Sequence, residues 1–261
     1  MELKRRYIFL KRMALDLNIF FKKKMDYNLK IFNKSKKRKK YDPVTNFDKN
    51  FEKFIRESIK KKFKRDAIDG EEFKYLRGSS NYLWIIDPID GTKKFIKNIP
   101  TWSNLIGLSL NNKIVLGLAN FPDLNRFYIC DNKNSFIYKN TKKKKLLKLK
   151  KKNKKKLKIC INFHEKYSKK KKKFITSKFK NATILESYDA LSYCLLVEGK
   201  IDVVIEANLK SYDIAPLIPI IKNAGGSISN WNNKSAINGG NILATSNKTL
   251  HNKFYKILKF L

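Results

Sequence analysis

Hydrophobic positions change their spacing several times along the chain, and each change predicts an element. From Met1 to Lys40 apolar residues recur in a helical rhythm among Lys and Arg. From Asn50 to Phe63 the side chains of Phe51, Phe54, Ile55, Ile59 and Phe63 share one face with Lys and Arg opposite, which predicts an amphipathic helix. Leu83 to Ile86 is a short apolar run suited to a buried strand, and Pro88, with no N–H to donate, is expected to end its ladder. Trp102 to Leu110, Lys113 to Phe121, Arg126 to Ile129 and Ser135 to Tyr138 are strand-like and separated by turn signals, which predicts an antiparallel meander. The second half alternates. Leu157 to Asn162, Asp202 to Ala207, Ser227 to Trp231 and Ile242 to Ser246 read as strands, and Asp189 to Glu198, Asp213 to Ala224 and Thr249 to Phe260 as helices, hence an α/β lobe.

Lys142 to Lys158 contains twelve lysines, and such a block repels itself and is expected to be solvated. It is the expected junction between an N-terminal α+β lobe, residues 1–141, and a C-terminal α/β lobe, residues 142–261, packed as one compact unit. Lys169 to Lys173 is a second run of the same kind.

With 261 residues, 42% of them hydrophobic, the chain can bury a large core. Its net charge of +38 points at first to nucleic acid. Yet only eight of the 60 basic residues are Arg, and Asn, Ile, Phe and Tyr, which share A/T-rich codons with Lys, are abundant too. A mutational bias accounts for the charge without a polyanionic partner, since bidentate phosphate and base contacts favour Arg, and a basic nucleic-acid-binding protein is the alternative that the lysine blocks keep open. No apolar run is long enough for a secretory core or a membrane span, and Cys130, Cys160 and Cys194 lack zinc spacing, so a reduced, cytoplasmic protein is expected. Two histidines leave little for a His-metal cluster or a phosphohistidine.

Against this basic background the acids carry information. Asp66, Asp69, Glu71, Glu72, Asp87 and Asp90 fall within 25 residues. In Asp87-Pro88-Ile89-Asp90-Gly91-Thr92 two carboxylates are brought close enough to need a cation, and an all-oxygen set suits Mg²⁺. Gly91 and Thr92 offer backbone N–H groups to a phosphate oxygen if a helix starts there. The plainer alternative is a turn, because Asp-Pro and Asp-Gly are common turn dipeptides. The two residues between the aspartates disfavour the nucleophile motif of haloacid dehalogenases.

Four separated pieces then line up: Asp42-Pro43-Val44-Thr45 with Asp48; Gly70-Glu71-Glu72; the 87–92 segment; and Tyr212-Asp213-Ile214-Ala215-Pro216 with Ala224-Gly225-Gly226. In this order the chain resembles the inositol monophosphatase-like family of metal-dependent phosphatases from about residue 40 to 246. The resemblance implies a layered αβαβα sandwich and hydrolysis of a small phosphorylated substrate with no covalent intermediate. It further implies that Glu71, Asp87 and the Ile89 carbonyl hold one Mg²⁺, that Asp87, Asp90 and Asp213 hold a second, and that Glu71 shares a third, weaker ion. Asp48 and Thr92 match the pair that orients the attacking water, and a homodimer is implied. Asp213 also stands near a helix start, where capping alone is the alternative.

Within the family the likeness is to the histidinol-phosphatase branch, through Phe95-Ile96, Ile99-Pro100-Thr101-Trp102, Asp189 with Tyr193, and the segment from Val204 to Asp213. Histidinol phosphate carries an ammonium and an imidazole, and Glu206 and Asp189 are the carboxylates placed to meet them. Asp189 as a helix N-cap is the alternative, and Glu206 also matches a substrate position in the wider family, so inositol monophosphate or another sugar phosphate is the alternative substrate. The nucleic-acid-binding alternative would be built on a decayed phosphatase scaffold. Ser211 stands where the branch usually has Pro, Phe73-Lys74 replaces an expected Gly, and the glycine-rich hairpin is the diverged Asp131 to Lys139.

Overall fold

A computed structural model describes residues 1–24, 28–34, 43–140, 142–150, 156–163, 169–179 and 181–258. The elements in chain order are α1 (Glu2–Lys24), β1 (Ile31–Asn33), β2 (Pro43–Thr45), α2 (Asn46–Lys62), β3 (Ala67–Gly70), β4 (Tyr82–Asp90), α3 (Thr92–Ile96), β5 (Ser103–Leu110), β6 (Lys113–Phe121), β7 (Arg126–Cys130), β8 (Ser135–Lys139) and β9 (Lys143–Leu147). They continue with β10 (Leu157–Asn162), α4 (Lys169–Ser177), β11 (Ala182–Leu185), α5 (Ala190–Val197), β12 (Val203–Leu209), α6 (Ser211–Ile214), α7 (Leu217–Asn223), β13 (Ser227–Asn230), β14 (Gly240–Thr245) and α8 (Lys248–Leu258).

Two sheets organise the molecule. The first has the order β3-β4-β5-β6-β7-β8-β9, antiparallel except for the parallel β3–β4 pair. The second has the order β11-β10-β12-β14-β13, with β11, β10 and β12 parallel and β14 antiparallel to both its neighbours. Because side chains alternate across a strand, each sheet feeds two cores. Ile106, Leu108, Phe127 and Ile129 pack under α1 and α2, while Leu105, Ala119, Tyr128 and Cys130 meet α5 and α7. Val204, Ile242 and Ala244 join that middle core from the second sheet, whose opposite face, Val203, Ile205 and Leu243, is covered by α4 and α8. Helices, sheet, helices, sheet and helices therefore alternate, as the αβαβα expectation requires.

The predicted meander is present within a residue or so at each end. Four expectations need correction. Pro88 does not end its strand: β4 runs to Asp90 through a bulge, with Asp87 opposite Leu105 and Asp90 opposite Ser103. The lysine block is not simply solvated, since Lys143–Leu147 pairs with β8 and buries Leu147 while Lys144 and Lys145 stay exposed. Lys169 to Lys173 opens α4. The single helix expected from Asp213 to Ala224 is two, α6 and α7, parted by Ala215 and Pro216. Asp42, His164 and the Ser35 to Lys40 part of the basic loop lie outside the described residues.

The break at Pro216 has a packing cause. Gly107 and Gly117 face each other across β5 and β6, and a Cβ on Gly117 would stand 1.9 Å from the Pro216 carbonyl oxygen. The two glycines let the joint between α6 and α7 rest on the sheet, which brings Asp213 down beside β4.

Candidate active site

The bulge in β4 makes the centre of the site. Residues three apart on a regular strand point to opposite faces, but one extra residue restores Asp87 and Asp90 to the same side. The Asn104 amide holds the bulge by donating to the Pro88 carbonyl at 2.7 Å, and the Asn120 amide in turn donates to Asn104 Oδ1 at 3.0 Å. Asp87 is 2% exposed, and its Oδ1 is buried without a hydrogen-bond partner. Burial, then the charges of Glu71, Asp90 and Asp213, hold its pKa well above the ordinary range. Asp90 is raised in the same way, by burial and then by Asp189 and Asp213. Its Oδ2 accepts the Ala190 N–H at 3.0 Å and the Ser103 hydroxyl at 3.3 Å.

Glu71 follows β3 and is positioned from beneath by Glu52, a residue that carried no signal in the sequence. Glu52 is fully buried and accepts the N–H groups of Glu72 at 2.7 Å and Phe73 at 3.2 Å, with Arg56 Nε at 2.7 Å. A Cβ on Gly70 would fall 2.3 Å from Glu52 Oε1, so the turn closes only over glycine. Lys34 Nζ stands 2.9 Å from Glu71 Oε1 and also pairs with Glu72. Burial nevertheless pushes the Glu71 pKa up to about 7, against the opposing pull of Lys34. In a chain with 52 lysines nothing distinguished Lys34 beforehand.

Asp48 sits in the first turn of α2 as part of a reciprocal cap. Thr45 Oγ1 accepts the Phe47 and Asp48 N–H groups, and Asp48 Oδ2 accepts from the Thr45 N–H at 2.7 Å and hydroxyl at 2.6 Å. Burial lifts its pKa to about 6 despite those donors. Its other oxygen, Oδ1, faces the Thr92 hydroxyl at 3.4 Å, and the same hydroxyl lies 3.1 Å from the Ile89 carbonyl. One hydroxyl proton thus has two acceptors, an arrangement able to hand a hydrogen bond between them. A short helix does start at Thr92, with Gly91 before it at φ +82°, where a side chain would be strained. Asp213 lies in the first turn of α6 and accepts the Lys210 N–H at 2.6 Å, so the capping expected of it is present.

The two carboxylates assigned to substrate stand differently. Glu206 is 2% exposed and accepts from the Tyr193 hydroxyl at 2.9 Å and the Asn162 amide at 2.8 Å, so it forms part of the wall. Asp189 precedes α5 at the N-cap position without capping it through its side chain. Instead it pairs with Lys94 Nζ at 2.9 Å, and its side chain keeps 21% of its exposure.

Among the described residues no three carboxylate, imidazole or thiol groups form a ready-made ion cage. The donor chemistry still fits a hard cation: all the groups are oxygens, one buried oxygen of Asp87 is unpartnered, and burial with mutual repulsion raises Glu71, Asp87 and Asp90 together. Among the described residues, no helix is long and apolar enough to cross a membrane.

Comparison with known proteins points the same way. The family model described as "Inositol monophosphatase family" matches residues 10–261. A chloroplastic bifunctional phosphatase, IMPL2, of Arabidopsis thaliana is 32% identical over 217 residues, 76% of this chain and 59% of that protein, so the chain spans less than two thirds of that relative's length. A histidinol-phosphatase of Chlorobaculum parvum is 28% identical over 80% of each chain. Among solved structures, an IMPase/NADP phosphatase in complex with Mg²⁺ and phosphate superposes with a TM-score of 0.82 at 18% identity, covering 98% of this chain and 96% of its own.

Proposed function

The chain belongs to the inositol monophosphatase family of Mg²⁺-dependent phosphatases, which act on small phosphorylated substrates, and on that premise we propose that it hydrolyses L-histidinol phosphate to L-histidinol and phosphate, a step of histidine synthesis. The observation that carries the choice of ester is Asp189, a partly exposed carboxylate 3.0 Å from where a Cβ on Gly91 would stand, where a substrate's ammonium would meet it. The likeness to a protein named histidinol-phosphatase supports the same choice.

In this reading Glu71, Asp87 and the Ile89 carbonyl would hold one Mg²⁺, Asp87, Asp90 and Asp213 would hold a second, and Glu71 would share a third. Bound there, the ions supply Lewis acidity, lowering the pKa of water and steadying the leaving alkoxide. The protein's own groups do the positioning. Asp48 and Thr92 orient the attacking water and move its proton, with Thr45 fixing Asp48 from behind. The Gly91 and Thr92 N–H groups receive phosphate oxygens. Glu206 acts through its charge and through the Tyr193 hydroxyl that it orients. Residues 1–141 carry most of the ligands, and residues 142–261 bring Asp213, Asp189 and Glu206.

The test is phosphate release from L-histidinol phosphate and inositol 1-phosphate side by side, with Mg²⁺ and with a chelator. Mg²⁺-dependent turnover that strongly favours histidinol phosphate is expected. A preference for inositol phosphate would keep the reaction and overturn the substrate; no release from either would overturn both.

A further inference from the structure

Lys94 is a residue to which the mechanism gives no part. It lies in α3, two residues after Thr92, and its ammonium reaches across to the loop before α5. There Nζ stands 2.9 Å from Asp189 Oδ2 and donates to the Ser187 carbonyl at 3.1 Å, 5.5 Å from the centroid of the Tyr188 ring. The Lys94 and Asp189 side chains are only 19% and 21% exposed, so this is not a solvent-screened surface pair. Asp189 itself takes φ +49° and ψ −132°, a conformation that residues other than glycine rarely adopt and that surroundings must enforce. That loop backbone aims the carboxylate at the turn around Gly91.

Resting on the histidinol-phosphate reading, we propose that Lys94 is a built-in counter-cation that occupies Asp189 until the ammonium of an amino-alcohol phosphate replaces it, and that this exchange sets selectivity for the leaving alcohol. A lysine ammonium and the ammonium of an amino alcohol are the same functional group, so a carboxylate placed to accept one accepts the other. The flexible stem of Lys94 lets it withdraw, and the Ser187 carbonyl and the Tyr188 ring offer its charge a second perch. A neutral polyol returns no positive charge to Asp189, so it cannot displace Lys94 without leaving a carboxylate unpaired among Asp90 and its neighbours. Lys94 therefore weakens binding of the cationic ester by competition and leaves that of a neutral ester, which does not displace it, unchanged.

Removing the competitor gives the test. Lys94→Met keeps the chain length and deletes the charge; Lys94→Arg keeps both charge and pair. For Lys94→Met, the ratio of kcat/KM for L-histidinol phosphate to that for inositol 1-phosphate is expected to rise about tenfold, mainly through a lower KM for the cationic ester, whereas Lys94→Arg keeps the ratio near that of the parent protein. The ratio does not depend on the fraction of folded enzyme. If Lys94 only clamps the loop to α3, both esters suffer alike and an unchanged ratio overturns the proposal. If neither ester is hydrolysed by the parent protein, the proposed function fails separately, and calorimetric titration with L-histidinol itself decides the role of Lys94. Tighter binding to Lys94→Met supports the exchange, and equal or weaker binding overturns it.

Discussion

Asp66 and Asp87 are both buried carboxylates, and the chain treats them in opposite ways. Asp66 is fully partnered: Arg6 grips it through Nε at 2.9 Å and through the second guanidinium nitrogen at 2.8 Å, Ser80 donates at 2.7 Å and the Trp84 indole at 2.9 Å. Arg6 is itself stacked against Phe63 and Tyr82, so the network ties α1 to the first sheet. Asp87 has an oxygen with no partner, and its charged neighbours are other carboxylates. A buried charge costs stability unless it is paired. Asp66 has its cation in the sequence, whereas Asp87 is left to obtain one from solution.

Substitutions at these two positions should have the largest effects. Asp87→Asn is expected to lower Mg²⁺-dependent phosphate release by about 10³-fold, the equivalent of several kcal/mol of lost transition-state stabilisation, and to raise the melting temperature of the metal-free protein by removing a repelled charge. Asp66→Asn is expected to do the reverse, costing about 3 kcal/mol of stability by leaving the buried Arg6 guanidinium with only the exposed Glu2 as counter-charge, with kcat per folded molecule retained. Denaturant unfolding and steady-state assays of both variants check the pair. Equal effects of the two substitutions on activity would refute the division.

Sequence made one side of this contrast readable and hid the other. Asp87 and Asp90 stood out because they end an apolar run in a chain short of acids, and the meander was readable because its strands bury both faces. The Arg6–Asp66 network spans 60 residues, and no local pattern announces a pair that distant. Lys34, Lys94 and Glu52 escaped for the same reason, the lysines also being lost in a composition that makes each one ordinary. β9 escaped because Lys144, Lys145 and Leu146 are exposed and only Leu147 is buried. The α6–α7 break falls at Pro216, a helix breaker inside the expected helix, but the two first-sheet glycines that seat it lie about a hundred residues away in sequence.

Metal binding should sharpen the comparison next. Mg²⁺ at about 100 times its dissociation constant adds about 2.7 kcal/mol to the stability of the parent protein. That gain should survive Asp66→Asn and vanish with Asp87→Asn.

The pH dependence is a smaller effect with a defined sign. Asp48 and Glu71 have folded pKa values of about 6 and about 7, above their ordinary values of 3.8 and 4.5. Between those limits the folded state binds more protons than the unfolded chain, so their contribution is fully present near pH 4 and lost as pH rises through about 7. Melts of the metal-free protein across that window should show these groups lowering stability with rising pH, more weakly in a Glu71→Gln variant. Mg²⁺ affinity should rise over the same window, because the ligands must shed protons to bind. Identical slopes in parent and variant would remove Glu71 from the account.

The smallest expected effect comes from the rest of the surface. A net charge of +38 repels itself, so 0.3 M salt should raise the melting temperature by about 2–4 °C. A flat response would mean that the lysines are spaced too widely to matter.

Whether the unpartnered oxygen of Asp87 holds a metal ion is decided by titrating Mg²⁺ calorimetrically into the parent protein and into Asp87→Asn at about pH 7.5, above the raised Glu71 pKa. Saturable binding with proton release in the parent, lost in the variant, is the predicted result. Binding of equal affinity in both would contradict the account.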